Sequence, residues 1–176
     1  MKKVAVVFKS KYGSSEKYAK WIAEDAGAEV FKAGEIKVDK LEEYDTIVYC
    51  GGLYAGGILG FSLIKKNYDK LHDKKLIVVA VGATLKTGEA IEEVKAQNLT
   101  DEMKDRVQFF LLRGGLNYKK MNFIDRLLMF LLVKSVKLRK TEKLDEDSKA
   151  LIATYGKVID FTNRDAIAPI IHAINS

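Results

Sequence analysis

Residues 8–23 read FKSKYGSSEKYAKWIA. An apolar run ends at Phe8, a polar loop from Ser10 to Ser15 follows, and an amphipathic pattern then begins. Upstream, Lys3 to Phe8 forms a continuous valine-rich run, the pattern of a strand buried on both faces. Downstream, Tyr18, Trp21, Ile22 and Ala26 recur at helical spacing. Ser14 or Ser15 is the expected N-cap, Glu16 suits the first turn, and Gly27 closes the helix. The stretch thus reads as strand, tight polar turn and helix, the opening unit of a wound α/β sheet.

The same alternation continues. Ala28 to Lys32, residues 45–50 (DTIVYC), 75–81 (KLIVVAV) and 107–112 (VQFFLL) are further strands. Residues 88–97 form a modest helix, and residues 146–162 a stronger one with Leu151, Ile152, Tyr155, Val158 and Ile159 on one face. Pro169 begins or breaks a helix in the tail. Buried strands alternating with helices mean a parallel sheet covered on both sides. Right-handed crossovers leave few topologies, and five strands fit the doubly wound order 2-1-3-4-5. Its ligand crevice lies at the carboxyl ends of strands 1 and 3. With no repeat, low-complexity stretch or linker, residues 1–176 read as a single domain.

Composition narrows the class. Nearly half of the 176 residues are apolar, enough for a substantial core. No apolar run reaches the ~18 residues of a spanning helix. Val4 to Phe8 lacks a small-residue cleavage site and reads as a strand, not a leader. Cys50 is the only cysteine, so an internal disulfide and a cysteine-built zinc site are excluded. A packed thiol in a cytoplasmic protein is expected. The net charge of +6 suits anionic partners in general, but scattered lysines read as a solvated surface, and no nucleic-acid partner is expected. His72, His172 and the glutamates 89, 92 and 93 read as surface groups; no metal set and no catalytic triad is legible.

Three small-residue loops fall at strand ends. The first, residues 10–15, precedes a helix N-terminus, where unpaired amides and half a positive charge await an anion. Hydroxyls at residues 10, 14 and 15 add donors, and Gly13 permits close backbone approach. An ordinary serine-capped turn is the alternative. The second, Gly51 to Gly57, reads as a flexible loop in which Tyr54 either stacks on a flat ligand or lies on the surface. The third, Gly82 to Gly88, either borders the same ligand or only leads to a helix capped by Thr87. Their coincidence at the crevice edge favours a ligand site. A P-loop is absent, and the nearest dinucleotide fingerprint, Ala55 to Gly60, lacks its first glycine and follows the wrong strand.

Ser10-x-Tyr12-Gly13-x-Ser15 resembles the phosphate loop of flavodoxins, which binds FMN, and the likeness in element order spans nearly the whole chain. It implies an α/β fold with a flavodoxin-like five-stranded parallel sheet and a helical insertion after the last strand. It also implies that Ser10, Tyr12, Gly13, Ser14 and Ser15 hold the FMN phosphate. Gly52, Leu53 and Tyr54 line one side of the flavin, and Gly82, Ala83, Thr84 and Leu85 the other. Lys11 within the loop, with Lys9 and Lys17 beside it, departs from the family, as does the missing aromatic in the second flavin loop. Carrier flavodoxins are typically acidic, so a basic chain docks poorly on their basic partners. Lysines near the ring favour the reduced anion and raise its potential.

The stretch Gly114-Gly115-Leu116-Asn117-Tyr118, then Asp125-Arg126 and a hydrophobic helix, looks like the insertion of bacterial quinone-dependent protoporphyrinogen oxidases. The insertion covers about residues 117–141, and Leu127 to Val133 are consecutive apolar residues flanked by lysines and arginine. Residues 121–140 fit a helix lying on the inner face of an anionic membrane, within reach of a quinone. A core or homodimer helix with snorkelling lysines is the alternative, because Asp125 and Arg126 interrupt the apolar face. Three functions remain: a quinone-dependent enzyme resembling that oxidase, a soluble electron carrier, or a binding module that kept the fold without FMN.

Overall fold

The computed structural model describes residues 2–83, 88–138 and 146–176. Strand β1 (Val4–Lys9) buries Ala5 to Phe8 and turns into helix α1 (Ser14–Ala26). The N-cap of α1 is Gly13, at φ 100°, and neither Ser14 nor Ser15 caps it. Both serines lie inside the first turn, and the left-handed Gly13 lets the chain reverse within one residue. Gly27, at φ 60°, closes the helix as its position in the sequence suggests.

Strand β2 (Glu29–Lys32), helix α2 (Val38–Leu41), strand β3 (Thr46–Tyr54) and the short strand β4 (Gly57–Ile58) follow. Helices α3 (Ser62–Lys65) and α4 (Tyr68–Leu71) lead to β5 (Lys75–Gly82). Helices α5 (Gly88–Asn98) and α6 (Asp101–Arg106) precede β6 (Gln108–Arg113). The last part holds β7 (Gly115–Asn117), α7 (Phe123–Lys137), α8 (Glu146–Thr154), β8 (Val158–Asp160) and α9 (Ala168–Asn175).

The five long strands pair in parallel in the order β2-β1-β3-β5-β6, which is the expected 2-1-3-4-5 once β4 is set aside. Residues alternate between the two faces. Val7, Tyr49 and Val78 face Leu41, Ile64 and Met103, whereas Val6, Val48 and Ile77 face Tyr18, Ile22 and Ile170. Burial on both faces is why β1, β3 and β5 are nearly unbroken apolar runs, whereas the edge strand β2 is mostly exposed.

Two further expectations need correction. Gly51 to Tyr54 is not a flexible loop: it prolongs β3 and forms a hairpin with β4, pairing Leu53 with Ile58 and Tyr54 with Gly57. Positive φ at Ala55 (49°) and Gly56 (82°) makes the two-residue turn. The helix expected over 146–162 stops at Thr154, because Gly156 (φ 78°) redirects the chain. Val158 and Ile159 therefore lie in β8, which pairs antiparallel with β7. Pro169 does begin α9, in its first turn. Thr87, the expected cap of α5, and residues 139–141 of the insertion lie outside the described residues. Among the described residues no helix is long and apolar enough to cross a membrane.

Candidate functional site

Because β1, β3, β5 and β6 run parallel, their carboxyl ends open on one edge. A cavity of about 670 Å³ lies there, within the usual range of ligand sites. Ser10, Tyr12, Ser14 and Ser15 line it from the first loop, Gly52, Leu53 and Tyr54 from the β3 arm, and Gly82 and Ala83 from the end of β5. Gly13 lies in an adjoining recess of about 320 Å³, shared with Tyr12 and Ser14. Thr84 and Leu85 lie outside the described residues.

The first turn of α1 supplies donors. Among the described residues none accepts from the amides of Ser14, Ser15 or Glu16, as expected where a helix starts. The Ser10 hydroxyl oxygen accepts from the Gly13 amide (3.0 Å), and that of Ser14 accepts from the Gly115 amide (2.8 Å). Each hydroxyl keeps its own hydrogen to donate. Lys17 is engaged elsewhere: its Nζ donates to Asp160 (3.0 Å) and Thr162 (2.8 Å). The Thr162 amide and hydroxyl, helped by Lys17, hold the Asp160 carboxyl below its ordinary range. Cys50 is fully buried beneath this turn, and its thiol donates to the Ser15 carbonyl (3.3 Å). Burial pushes that thiol far up.

Two residues that the sequence reading did not select sit in the same cavity. Asp125, on α7, is 4% exposed and takes hydrogen bonds from Lys11, Tyr12 and Tyr54. Lys11 Nζ lies 2.8 Å from each carboxylate oxygen, and the Tyr54 hydroxyl donates at 2.8 Å. Lys11 also sits 4.1 Å from the Tyr54 ring centroid, and its bond to Asp125 raises its pKa. Arg113, at the end of β6, stacks its guanidinium 3.9 Å from the Phe161 ring centroid. Its Nε is buried and has no hydrogen-bond partner among the described residues. Its place at a strand's carboxyl end was the one signal in the sequence. For Asp125 no local signal existed, since its partners are 71 to 114 residues away.

Leu128, Met129, Leu132 and Val136 of α7, with Leu151 of α8, form the apolar wall. At Gly82 a side-chain carbon would lie 2.8 Å from Leu53 Cδ1, so glycine there lets Leu53 pack directly onto the end of β5. Among the described residues no group of three or more His, Cys, Asp or Glu could hold a metal. His72 and His172 are exposed.

An anion-ready helix start beside an apolar wall, at the crevice of a doubly wound sheet, defines the class of wound α/β folds that take an anionic ligand at their strand ends. The chain belongs to the flavodoxin-domain family, whose model matches residues 5–143. A search of curated proteins gives no match. Similar solved structures include the WrbA-like flavodoxin of Agrobacterium tumefaciens, at 18% identity over 87% of this chain and 92% of that one (TM-score 0.44). Oxidised Flavodoxin 1 of Bacillus cereus is 19% identical over 78% of this chain and 99% of that one (TM-score 0.42). A flavoprotein of Lactobacillus acidophilus, in complex with FMN, is 14% identical over 64% and 93% (TM-score 0.39).

The residues present fit a flat anionic group such as FMN. Unpaired amides at the start of α1 suit a phosphate, and the orphan Nε of Arg113 calls for an acceptor inside the cavity. The apolar wall from α7 and α8, beside the ends of β3 and β5, suits a ring.

Proposed function

We propose that the chain binds FMN along the carboxyl edge of its sheet and works as a redox protein. One observation carries this reading: the ends of β1, β3, β5 and β6 converge on a cavity that holds both the start of α1 and Tyr54. Ser10, Tyr12, Gly13, Ser14 and Ser15 frame the phosphate, which the unpaired amides at the start of α1 and the serine hydroxyls receive. Gly52, Leu53 and Tyr54 line one side of the ring, and Gly82 and Ala83 the other. When bound, the flavin supplies the electron transfer. The side chains of α7 keep water from that pocket, and Tyr54 orients the ring. Titration of desalted protein with FMN, followed by visible absorbance and flavin fluorescence, tests this. A saturable one-to-one change supports it. Flavin that passes unchanged into the filtrate overturns it and favours a cofactor-free binding module.

One feature favours an enzyme over a soluble carrier. Helix α7 exposes Phe123 (80%), Ile124 (64%), Leu127 (46%) and Leu131 (51%) to solvent. Lys119, Lys120, Arg126, Lys134 and Lys137 surround this face and complement an anionic lipid surface. We infer a peripheral enzyme resembling quinone-dependent protoporphyrinogen oxidase, with its acceptor drawn from the lipid. FMN-loaded protein on vesicles containing a quinone then oxidises a porphyrinogen with stoichiometric quinone reduction. Electron delivery to a soluble partner, without porphyrinogen turnover, refutes the enzyme and supports the carrier.

A further inference from the structure

Asp125 is the one acidic residue of α7, and it points inward while Ile124 and Leu127 beside it face out. Its backbone amide is held by the Asn122 side chain (2.8 Å), the N-cap of the helix. This fixes the carboxylate at the helix start, above the two loops that border the cavity. Lys11 and Tyr12 reach it from the loop after β1, and Tyr54 reaches it from the β3 arm. A buried carboxylate taking hydrogen bonds from an ammonium and two phenols is a costly group to keep, yet it adds no core packing. Its effect falls on Lys11, whose charge it neutralises and whose ammonium it seats against the Tyr54 ring.

We propose that Asp125 is a positioning residue that sets the redox balance of the flavin site by cancelling the positive charge of Lys11. This deepens the flavin reading above and rests on it. Lys11, Tyr54 and Asp125 all line the same cavity, so a charge left on either partner acts on a flavin bound there. Two electrons and one proton give the flavin one extra negative charge. A cation without its counter-charge stabilises that product, and an anion without its partner opposes it. The native pair, near neutral as a unit, does neither.

The test is the potential of FMN-loaded protein, measured by dye-equilibrated reduction with dithionite. In Asp125→Asn, Lys11 is uncompensated. Reduced FMN then gains about tenfold in affinity relative to oxidised FMN, a positive shift of about 30 mV for a two-electron couple. Lys11→Met leaves the carboxylate alone, and the potential moves negative by a similar amount. The double variant returns close to the wild type, closing the cycle. A purely structural role gives another pattern, in which every variant weakens oxidised and reduced FMN alike and no potential moves. Shifts of one sign in both single variants, or none in either, overturn the proposal. If Asp125→Asn does not fold, the exposed Lys11→Met decides alone, a negative shift supporting and any other result opposing. Wild-type protein that binds no FMN sinks the flavin reading itself, and this inference with it.

Discussion

Replacing Ile124, Leu127 and Leu131 together by glutamine tests what covers the outer face of α7. These positions lie at i, i+3 and i+7 on one stripe, are roughly half or more exposed, and do not line the cavity. Full burial of such a side chain is worth about 1.5–3 kcal/mol, so the exposed portion of each contributes roughly 1 kcal/mol to insertion. The triple variant therefore loses about 3 kcal/mol, or roughly a hundredfold in partitioning onto lipid. Lys119, Lys120, Arg126, Lys134 and Lys137 each add up to about 1 kcal/mol near an anionic leaflet. Binding therefore falls as salt screens these charges. The assay is co-sedimentation with phosphatidylglycerol vesicles, with phosphatidylcholine vesicles as control. Melting temperature serves as a folding check, since exposed changes usually stay within about 0.5 kcal/mol. Wild-type protein left in the supernatant with anionic vesicles, or a triple variant that pellets equally well, refutes the lipid reading. Concentration-dependent dimerisation abolished by the same triple variant assigns the stripe to a second copy of the chain.

Gly13→Ala meets nothing within 4 Å of the added carbon, so its cost is conformational: about 1–2 kcal/mol for an L-residue held at φ 100°. For a chain of this size the melting temperature drops by several degrees, at about 2–4 °C per kcal/mol, and an unchanged melting curve contradicts the left-handed cap. Cys50, buried with its thiol pushed up, stays unreactive toward a disulfide reagent at pH 8 and reacts once the protein is unfolded. Prompt labelling of the native protein contradicts this packing. Asp160→Asn removes a carboxylate held below its ordinary pKa, so its stabilisation is present above about pH 4 and is lost as the pH falls further. On this exposed pair the loss at pH 7 is under about 1 kcal/mol. Denaturant midpoints for the two proteins converge at low pH, and a gap that widens there contradicts the assignment.

The long strands were legible because burial on both faces writes them as local apolar runs, and connection rules then fixed their order. What failed was any feature set by distant partners. Gly51 and Gly52 suggested a loop, but their backbones pair with Ala80 and Val81 and stay in the sheet. The spacing of Leu151, Ile152, Tyr155, Val158 and Ile159 looked helical, whereas pairing with β7 draws the last two into β8. Gly156 was visible between them as a breaker. The serines of the first loop were recognised, but not that Ser14 anchors Gly115, a contact across 101 positions. Asp125 seemed to interrupt an apolar face because only the fold brings Lys11, Tyr12 and Tyr54 to it.

Helix α7 is thus apolar on both faces, which couples the site to its surroundings. Its inner stripe runs through Asp125, Met129, Val133 and Val136, of which Asp125, Met129 and Val136 line the cavity. Its outer stripe is bare hydrocarbon. Both stripes belong to one stiff element of 15 residues, ~22 Å long and ~10 Å across with its side chains. Whatever covers the outer stripe therefore lies about one helix diameter from the cavity. If that cover is lipid, an apolar acceptor dissolved in it reaches the rim between α7 and α8 without crossing water. The inward carboxylate supplies the complementary constraint, since Asp125 ties the start of α7 to both loops and so couples any movement of the helix to Lys11 and Tyr54. Lipid binding should then alter the visible spectrum of bound FMN in the wild type and leave it unaltered in the glutamine triple variant.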